Sequence, residues 1–219
     1  GEVGAAAVQN IGAYGVQVKD TLVSVEVLNI QTKETEILTN TDCQFAYRDS
    51  LFKKKPIQYI VTAVNFKLAK IPQFHLEYAN LRANFSSEEA ISLSAVRDLI
   101  IQIREKKLPD PQVIGNAGSF FKNPIISTEK FQALQLSYPS MPFYSLNDSE
   151  VKIPAAWLID SCAWKEKGEQ GVGVYEKQPL VIINKGNASG KDIYAFSLKI
   201  IKSVQEKFDI LIEPEVLII

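Results

Sequence analysis

The chain has 219 residues, 46% of them hydrophobic, with 24 basic and 25 acidic side chains and a formal net charge of −1. A chain of this length can bury roughly 70% of its extended surface, so a sizeable core is available in one large domain or two small ones. The balanced charge excludes an electrostatic case for nucleic acid or an anionic membrane, and no apolar run approaches the roughly 20 residues that a spanning helix needs.

Cys43 and Cys162 lie far apart without CxxC spacing, and His75 is the single histidine. These counts argue against a disulfide framework, a zinc site or any His-dependent triad. Two lone cysteines suit a reducing cytosol. No signal-peptide pattern is present, and the sequons at Asn84, Asn147 and Asn187 read as chance matches. The chain opens at Gly1, without methionine and already inside a glycine-rich stretch, so it reads as a piece of something longer.

Residues 1–15 (GEVGAAAVQNIGAYG) carry four glycines among small neighbours. Such a backbone can press against a flat ring or a phosphate, or simply make a tight turn packed by Ile11 and Tyr14. A dense Val/Leu/Ile run over 22–30, a polar turn at 31–34 and a second short strand over 35–38 predict a hairpin. Tyr47-Arg48-Asp49-Ser50 follows, then a solvated basic turn, Lys53-Lys54-Lys55-Pro56. Over 57–68, Ile60, Val64, Phe66 and Leu68 fall on one side of a period-2 strand.

Residues 72–83 read as irregular, with Tyr78 at a loop tip. Ser86-Ser87-Glu88-Glu89 has the form of a capping box. It precedes an amphipathic helix with Leu93, Val96, Leu99, Ile100 and Ile103 on its apolar stripe. The helix stops near Lys107, before Pro109 and Pro111. Arg104 and Lys107 in its last turn can complement the helix dipole or grip a phosphate.

The stretch Gly115-Asn116-Ala117-Gly118-Ser119-Phe120-Phe121-Lys122-Asn123-Pro124 is the most informative. Two glycines permit a tight turn or a close approach. Phe120 and Phe121 are expected to anchor the segment in a core, with Ser119 on a rigid base beside them. The remainder predicts a short helix over 154–162, a glycine-rich loop over 168–173, a buried strand over 180–184 and a long helix beginning at Ser189. That helix carries a core stripe of Ile193, Phe196, Ile200, Val204 and Phe208. The extended run 210–219 sets Glu213-Pro214-Glu215 among apolar residues, where a carboxylate is costly to bury unless something binds it. The pattern as a whole is α+β.

Five motifs in order, at 9–15 (QNIGAYG), 47–50 (YRDS), 107–111 (KLPDP), 115–124 (GNAGSFFKNP) and 213–216 (EPEV), closely resemble the UDP-N-acetylenolpyruvoylglucosamine reductase family over essentially the whole chain. The resemblance implies two-stage hydride transfer. NADPH reduces FAD, and reduced FAD delivers hydride to the enolpyruvyl ether of the UDP-sugar, giving UDP-N-acetylmuramate. It also implies a cytoplasmic, monomeric enzyme of peptidoglycan synthesis, with no metal.

By the same resemblance Ser119 matches the proton donor, Arg48 the catalytic arginine and Glu215 the catalytic glutamate. A serine is a weak acid, fit to donate only to a strongly basic enolate, and a guanidinium suits a carboxylate becoming enediolate-like. Tyr78 matches the mobile-loop tyrosine of one family subtype. Lys107, Asn123 and Gln178 match positions that hold the diphosphate and uridine, and Arg104 is a weaker match. The flavin side falls to Gln9, Asn10, Ile11, Gly12 and Tyr14.

The resemblance further implies a partial FAD-binding lobe over 1–112, completed by 209–219, and a substrate lobe over 113–208. Family members carry an upstream lobe with a glycine-rich loop for the FAD diphosphate, and a short C-terminal tail beyond the Glu-Pro-Glu strand. By the resemblance this chain begins after that lobe, so alone it is expected to bind FAD weakly or not at all and to be inactive. Two other readings are a UDP-sugar-binding module without redox chemistry and a serine hydrolase on Gly118-Ser119. The second lacks Gly-x-Ser-x-Gly and a placed histidine.

Overall fold

The computed structural model describes residues 2–85 and 91–218, with only the backbone of Ala79 and Asn80. The chain is α+β and falls into two compact units, Gly1–Arg97 and Asp98–Ile219. The capping-box sequence at 86–89 lies outside the described residues.

The first unit opens with a 3-10 helix, Val3–Ala7, and a small hairpin of β1 (Gly12–Ala13) and β2 (Val16–Gln17). The two residues between these strands, Tyr14 (φ 52°) and Gly15 (φ 85°), both lie in the left-handed region. That conformation matches the twist of a two-residue hairpin. The glycine-rich opening is thus a built turn rather than an open loop.

Next comes an antiparallel sheet in the order β4-β3-β5, from β3 (Leu22–Asn29), β4 (Thr35–Thr39) and β5 (Tyr59–Phe66). Its inner face carries Leu22, Val25 and Val27, packed with Ala7, Cys43 and Phe52. The predicted stripe on β5 fails at Ile60 and Leu68. Glu26 pairs with Ala63 but Val27 with Val61, so Thr62 is an extra residue in β5. One inserted residue reverses the alternation. Tyr59 and Val61 therefore join Val64 and Phe66 against the core, while Ile60 is 51% exposed. Leu68 lies beyond the strand and is 73% exposed.

Between β4 and β5, the buried hydroxyl of Ser50 accepts from the amides of Phe52 and Lys53 and caps the short helix α1 (Leu51–Lys54). After β5 a 3-10 helix, Tyr78–Asn84, replaces the expected irregular loop. The unit boundary falls inside α2 (Leu93–Lys107), which is capped by the Ser92 hydroxyl accepting from the Ala95 amide at 3.1 Å. None of the residues of α2 is fully buried, and Leu93 is 64% exposed.

The second unit is built around β6 (Gly115–Ser119). Next come β7 (Ile125–Ser127), α3 (Thr128–Ser137), β8 (Tyr144–Ser145), β9 (Glu150–Lys152) and α4 (Ala155–Ser161). The chain then continues through β10 (Gly168–Glu169), β11 (Val172–Tyr175), β12 (Gln178–Asn184) and α5 (Gly190–Phe208). Two antiparallel sheets result, β10-β11-β12-β6 and β7-β9-β8. The glycine-rich stretch at 168–173 is a hairpin turned by Gln170 and Gly171, not a loop.

The long helix α5 follows its sequence closely. Ser189 and Asp192 form a reciprocal capping box, whose hydrogen bonds hold the Asp192 carboxyl below its ordinary value. Phe196, Ile200, Val204 and Phe208 are buried against Leu158, Ile159, Val172 and Val174, with Ile193 partly buried beside them. Asp209 ends the helix in the left-handed conformation (φ 52°) and hands the chain to the terminal run, where Ile210 and Ile212 enter the same core.

Candidate functional site

The sequence places β6 at the edge of its sheet, and a bulge shapes its last residues. Asn116 is opposite Ile183, and Ser119 is opposite Val181. From 116 to 119 β6 advances three residues while β12 advances two from 183 to 181, so β6 carries one extra residue. Gly118 (φ +70°) absorbs it in the left-handed conformation. The Asn116 side chain closes over the bulge. Its Oδ1 accepts from the Gly118 amide at 2.9 Å, and its Nδ2 donates to the carbonyls of Ile114 (2.9 Å) and Pro109 (3.4 Å). The last bond ties the 107–111 segment to the 115–124 motif.

Beyond Ser119 the chain changes partners. The Phe120 amide still donates to the Leu180 carbonyl on β12. The Phe120 carbonyl instead accepts from the Glu215 amide at 2.7 Å, and the Lys122 amide donates to the Glu213 carbonyl at 2.9 Å. Phe121 and Pro214 face each other across this short antiparallel bridge. Proline fits there, since it has no amide to leave unpaired. Phe120 and Phe121, 5% and 1% exposed, seat the segment in the core as expected. The 115–124 and 213–216 motifs are thereby laced together, with Ser119 and Glu215 on adjoining backbone and both half-buried. The Lys122 ammonium lies 3.6 Å from a Glu213 carboxylate oxygen at the rim.

Asn123 extends the same segment. Its Oδ1 accepts from the Ala155 amide at 2.9 Å, capping α4 from 32 residues away. Pro154, the residue at the cap position, offers no side-chain acceptor. Carbonyl-side engagement leaves the Nδ2 group of Asn123, which has no hydrogen-bond partner among the described residues, as a donor for a ligand. Gln178 begins β12 on the strand beside β6. It is 7% exposed, with its Oε1 toward the Leu180 amide at 3.4 Å. Arg104 and Lys107 occupy the last turn of α2 and are exposed.

The remaining predicted residues belong to the first unit. Asn10 is fully buried, and its carboxamide is spent within the protein. Nδ2 donates to Gln17 Oε1 (2.8 Å) and the Ala46 carbonyl (2.9 Å), while Oδ1 accepts from the Lys19 amide (3.0 Å). It holds the β1–β2 hairpin in place rather than offering polar atoms outward. Gln9, Gly12 and Tyr14 are half-buried around it, and Ile11 is 50% exposed. Arg48, in the left-handed region at φ 52°, donates to the Gly12 carbonyl. Tyr78 packs edge-on to Tyr14 with ring centroids 6.3 Å apart. Together with Gly15, Phe74, His75 and Arg82, Tyr78 lines a groove of about 780 Å³.

The structure thus brings together Ser119, Glu215, Asn123 and Gln178 in one unit, and Arg48, Tyr78 and the 9–14 residues in the other. Sequence reasoning missed that the Asn116 side chain closes the bulge before Ser119. The available signal was an Asn two residues before a Gly, the spacing of an Asx turn. Among the described residues no three His, Cys, Asp or Glu side chains are grouped to hold a metal ion, and no helix is long and apolar enough to cross a membrane.

The fold is that of a solved reductase. The crystal structure of UDP-N-acetylenolpyruvylglucosamine reductase from Thermus caldophilus matches with a TM-score of 0.60 at 24% identity, covering 98% of this chain and 59% of that one. The family model described as "UDP-N-acetylenolpyruvoylglucosamine reductase, C-terminal domain" matches residues 110–219. The chain belongs to the UDP-N-acetylenolpyruvoylglucosamine reductase family. Relatives carrying that name include those of Bacteroides fragilis, 51% identical over 217 residues, and Porphyromonas gingivalis, 47% identical over 219 residues. These alignments take in 99% of this chain and span 65% and 64% of the relatives' own lengths, respectively.

Proposed function

We propose that the full protein containing this chain is an FAD-dependent, NADPH-oxidising reductase that converts UDP-N-acetylglucosamine enolpyruvate to UDP-N-acetylmuramate, a step of peptidoglycan synthesis in the cytoplasm. The observation that carries this reading is the bridge between 120–122 and 213–215. It sets a hydroxyl residue beside a carboxylate residue, in a chain of this family.

The chemistry asked of the residues follows from the substrate. Bound flavin would supply hydride, drawn from NADPH. Addition of hydride to the terminal carbon of the enolpyruvyl double bond leaves negative charge on the carbon that bears the ether oxygen and the carboxylate. Ser119 Oγ gives its proton to that carbon, a transfer open to so weak an acid because the acceptor is an enolate. Arg48 pairs its guanidinium with the enediolate-like carboxylate, and Glu215 assists the same charge. Asn123 Nδ2, Gln178, Lys107, Arg104 and Tyr78 bind the UDP moiety.

The donor set of the first unit fits the edge of a flat ring: an exposed Ile11, backbone at Gly12 and the aromatic Tyr14, on a hairpin braced by Asn10. The helix that opens its described residues is a five-residue 3-10 helix, too short to serve as a diphosphate anchor. The isolated chain is accordingly proposed to bind FAD weakly or not at all and to be inactive. The proposal includes a flavin lobe of 1–112 with 209–219, a substrate lobe of 113–208 and a monomeric enzyme. That division differs from the compact units, whose boundary follows Arg97 and which keep Ile210 and Ile212 with the second.

The test is NADPH oxidation by the full-length protein, followed at the nicotinamide absorbance. It should require both FAD and the enolpyruvyl UDP-sugar and yield UDP-N-acetylmuramate. Tight UDP-sugar binding with no flavin-dependent turnover would favour the binding-module reading instead.

A further inference from the structure

We propose that Asn116 is a positioning residue for proton transfer from Ser119: it holds the β6 bulge that decides which way the serine hydroxyl faces. This inference rests on the reductase reading above. Side chains alternate along a strand, so one inserted residue turns everything after it to the opposite face. Ser119 is the first residue after the insertion whose pairing to β12 resumes, opposite Val181. Its direction is therefore set by whether the chain keeps the bulge at Ala117-Gly118 or slips by one residue to remove it.

The bulge has a cost that Asn116 offsets. An inserted residue withdraws a backbone amide from the ladder, and here that amide is Gly118 N–H, which the Asn116 Oδ1 accepts at 2.9 Å. The same carboxamide is fixed on its other side by donation to Ile114 and Pro109. The Asn116 backbone is itself in register opposite Ile183. One side chain thus fastens strand, bulge and the 107–111 segment. Among the described residues its side-chain hydrogen bonds all run to protein backbone, so its contribution to the reaction passes through Ser119 rather than through substrate contact.

The experiment uses Asn116→Ala and Asn116→Ser in the full-length protein. Serine can accept from the amide two residues on, more weakly than asparagine, whereas alanine cannot. The first readout is hydrogen exchange of the Gly118 amide, which needs no turnover. The second is reoxidation of NADPH-reduced flavin by UDP-N-acetylglucosamine enolpyruvate, resolved into limiting rate and half-saturation.

With alanine, Gly118 exchange should accelerate and the limiting rate should fall by about 10²-fold, the scale of an ångström-sized misplacement. Half-saturation should move by less than about three-fold. Serine should restore most of both effects. Unchanged exchange or an unchanged rate with alanine overturns the proposal. So does serine performing no better than alanine, or an effect confined to half-saturation. Ser119→Ala run alongside separates the two readings. If that variant reoxidises flavin at the parent rate, the role of Ser119 is wrong, while the exchange data still decide whether Asn116 holds the bulge.

Discussion

The amide of Glu215 donates to the carbonyl of Phe120 at 2.7 Å, which sets the backbone of the terminal carboxylate residue one peptide from Ser119 although 96 positions separate the two residues in sequence. The contact is main-chain to main-chain, and so does not depend on the identity of either side chain. The partly exposed ion pair beside it, Lys122 with Glu213, adds a contact of the kind that contributes between zero and about 1 kcal/mol. Substitution at Ser119 or Glu215 can therefore remove chemistry while leaving the bridge between their segments intact.

Gly118→Ala isolates the cost of the bulge. A Cβ built at this glycine meets nothing within 4 Å, so no clash is created. The backbone at φ +70° nonetheless disfavours any L side chain, by about 1–2 kcal/mol. Denaturant unfolding of the variant should show a loss of that size. A loss near zero would mean that the strand relaxes to a register without the bulge, and the direction of Ser119 would need revision.

Asn123 separates a structural from a binding role within one side chain. Asn123→Asp keeps an oxygen for the Ala155 amide and should hold the melting temperature near that of the parent. Asn123→Ala loses the cap and should cost about 1 kcal/mol. For the UDP-sugar the order reverses. The carboxylate of the Asp variant would face a diphosphate, raising KM at least about ten-fold, and should be worse than alanine. Equal KM values for the two variants would remove Asn123 from the proposed diphosphate contacts.

Cys43 predicts a pH dependence. Burial, reinforced by the negative charge of Asp42, pushes its thiol up to about 11 from an ordinary value of 9.0. The folded state then keeps a proton that the unfolded state releases. Its contribution to stability is fully present below pH 9.0 and is lost as pH rises toward 11. Unfolding free energies over that window should fall more steeply for the parent than for Cys43→Ala. The folded protein should also resist thiol alkylation at pH 8, and rapid labelling of Cys43 there would contradict its buried, protonated state.

Elements that stabilise themselves locally were legible in the sequence. The stripe and capping box of α5 sit within one continuous run, and the β3–β4 hairpin is set by a short polar turn. Features that depend on a distant partner were not. The inserted Thr62 can be seen only against β3, and it is what sends Ile60 outward and Val61 inward. The bulge at Gly118 likewise exists only relative to β12. The motif residues Ser119 and Glu215 could be named from their resemblance, but their adjacency follows from a strand exchange at Phe120 that no local pattern announces. Asn10 shows the same limit. Its carboxamide braces a hairpin through partners at Gln17, Lys19 and Ala46, which the local pattern around residue 10 does not announce.

Ser119 is proposed to deliver the proton that completes reduction of the enolpyruvyl group, and rapid-mixing kinetics on the Ser119→Ala full-length protein isolate that step. NADPH should reduce the bound flavin at the parent rate, because the hydroxyl takes no part in that half-reaction. Reoxidation by UDP-N-acetylglucosamine enolpyruvate should slow by about 10²- to 10⁴-fold, the range of a lost general acid. Reoxidation at the parent rate, or equal slowing of both halves, would contradict the account.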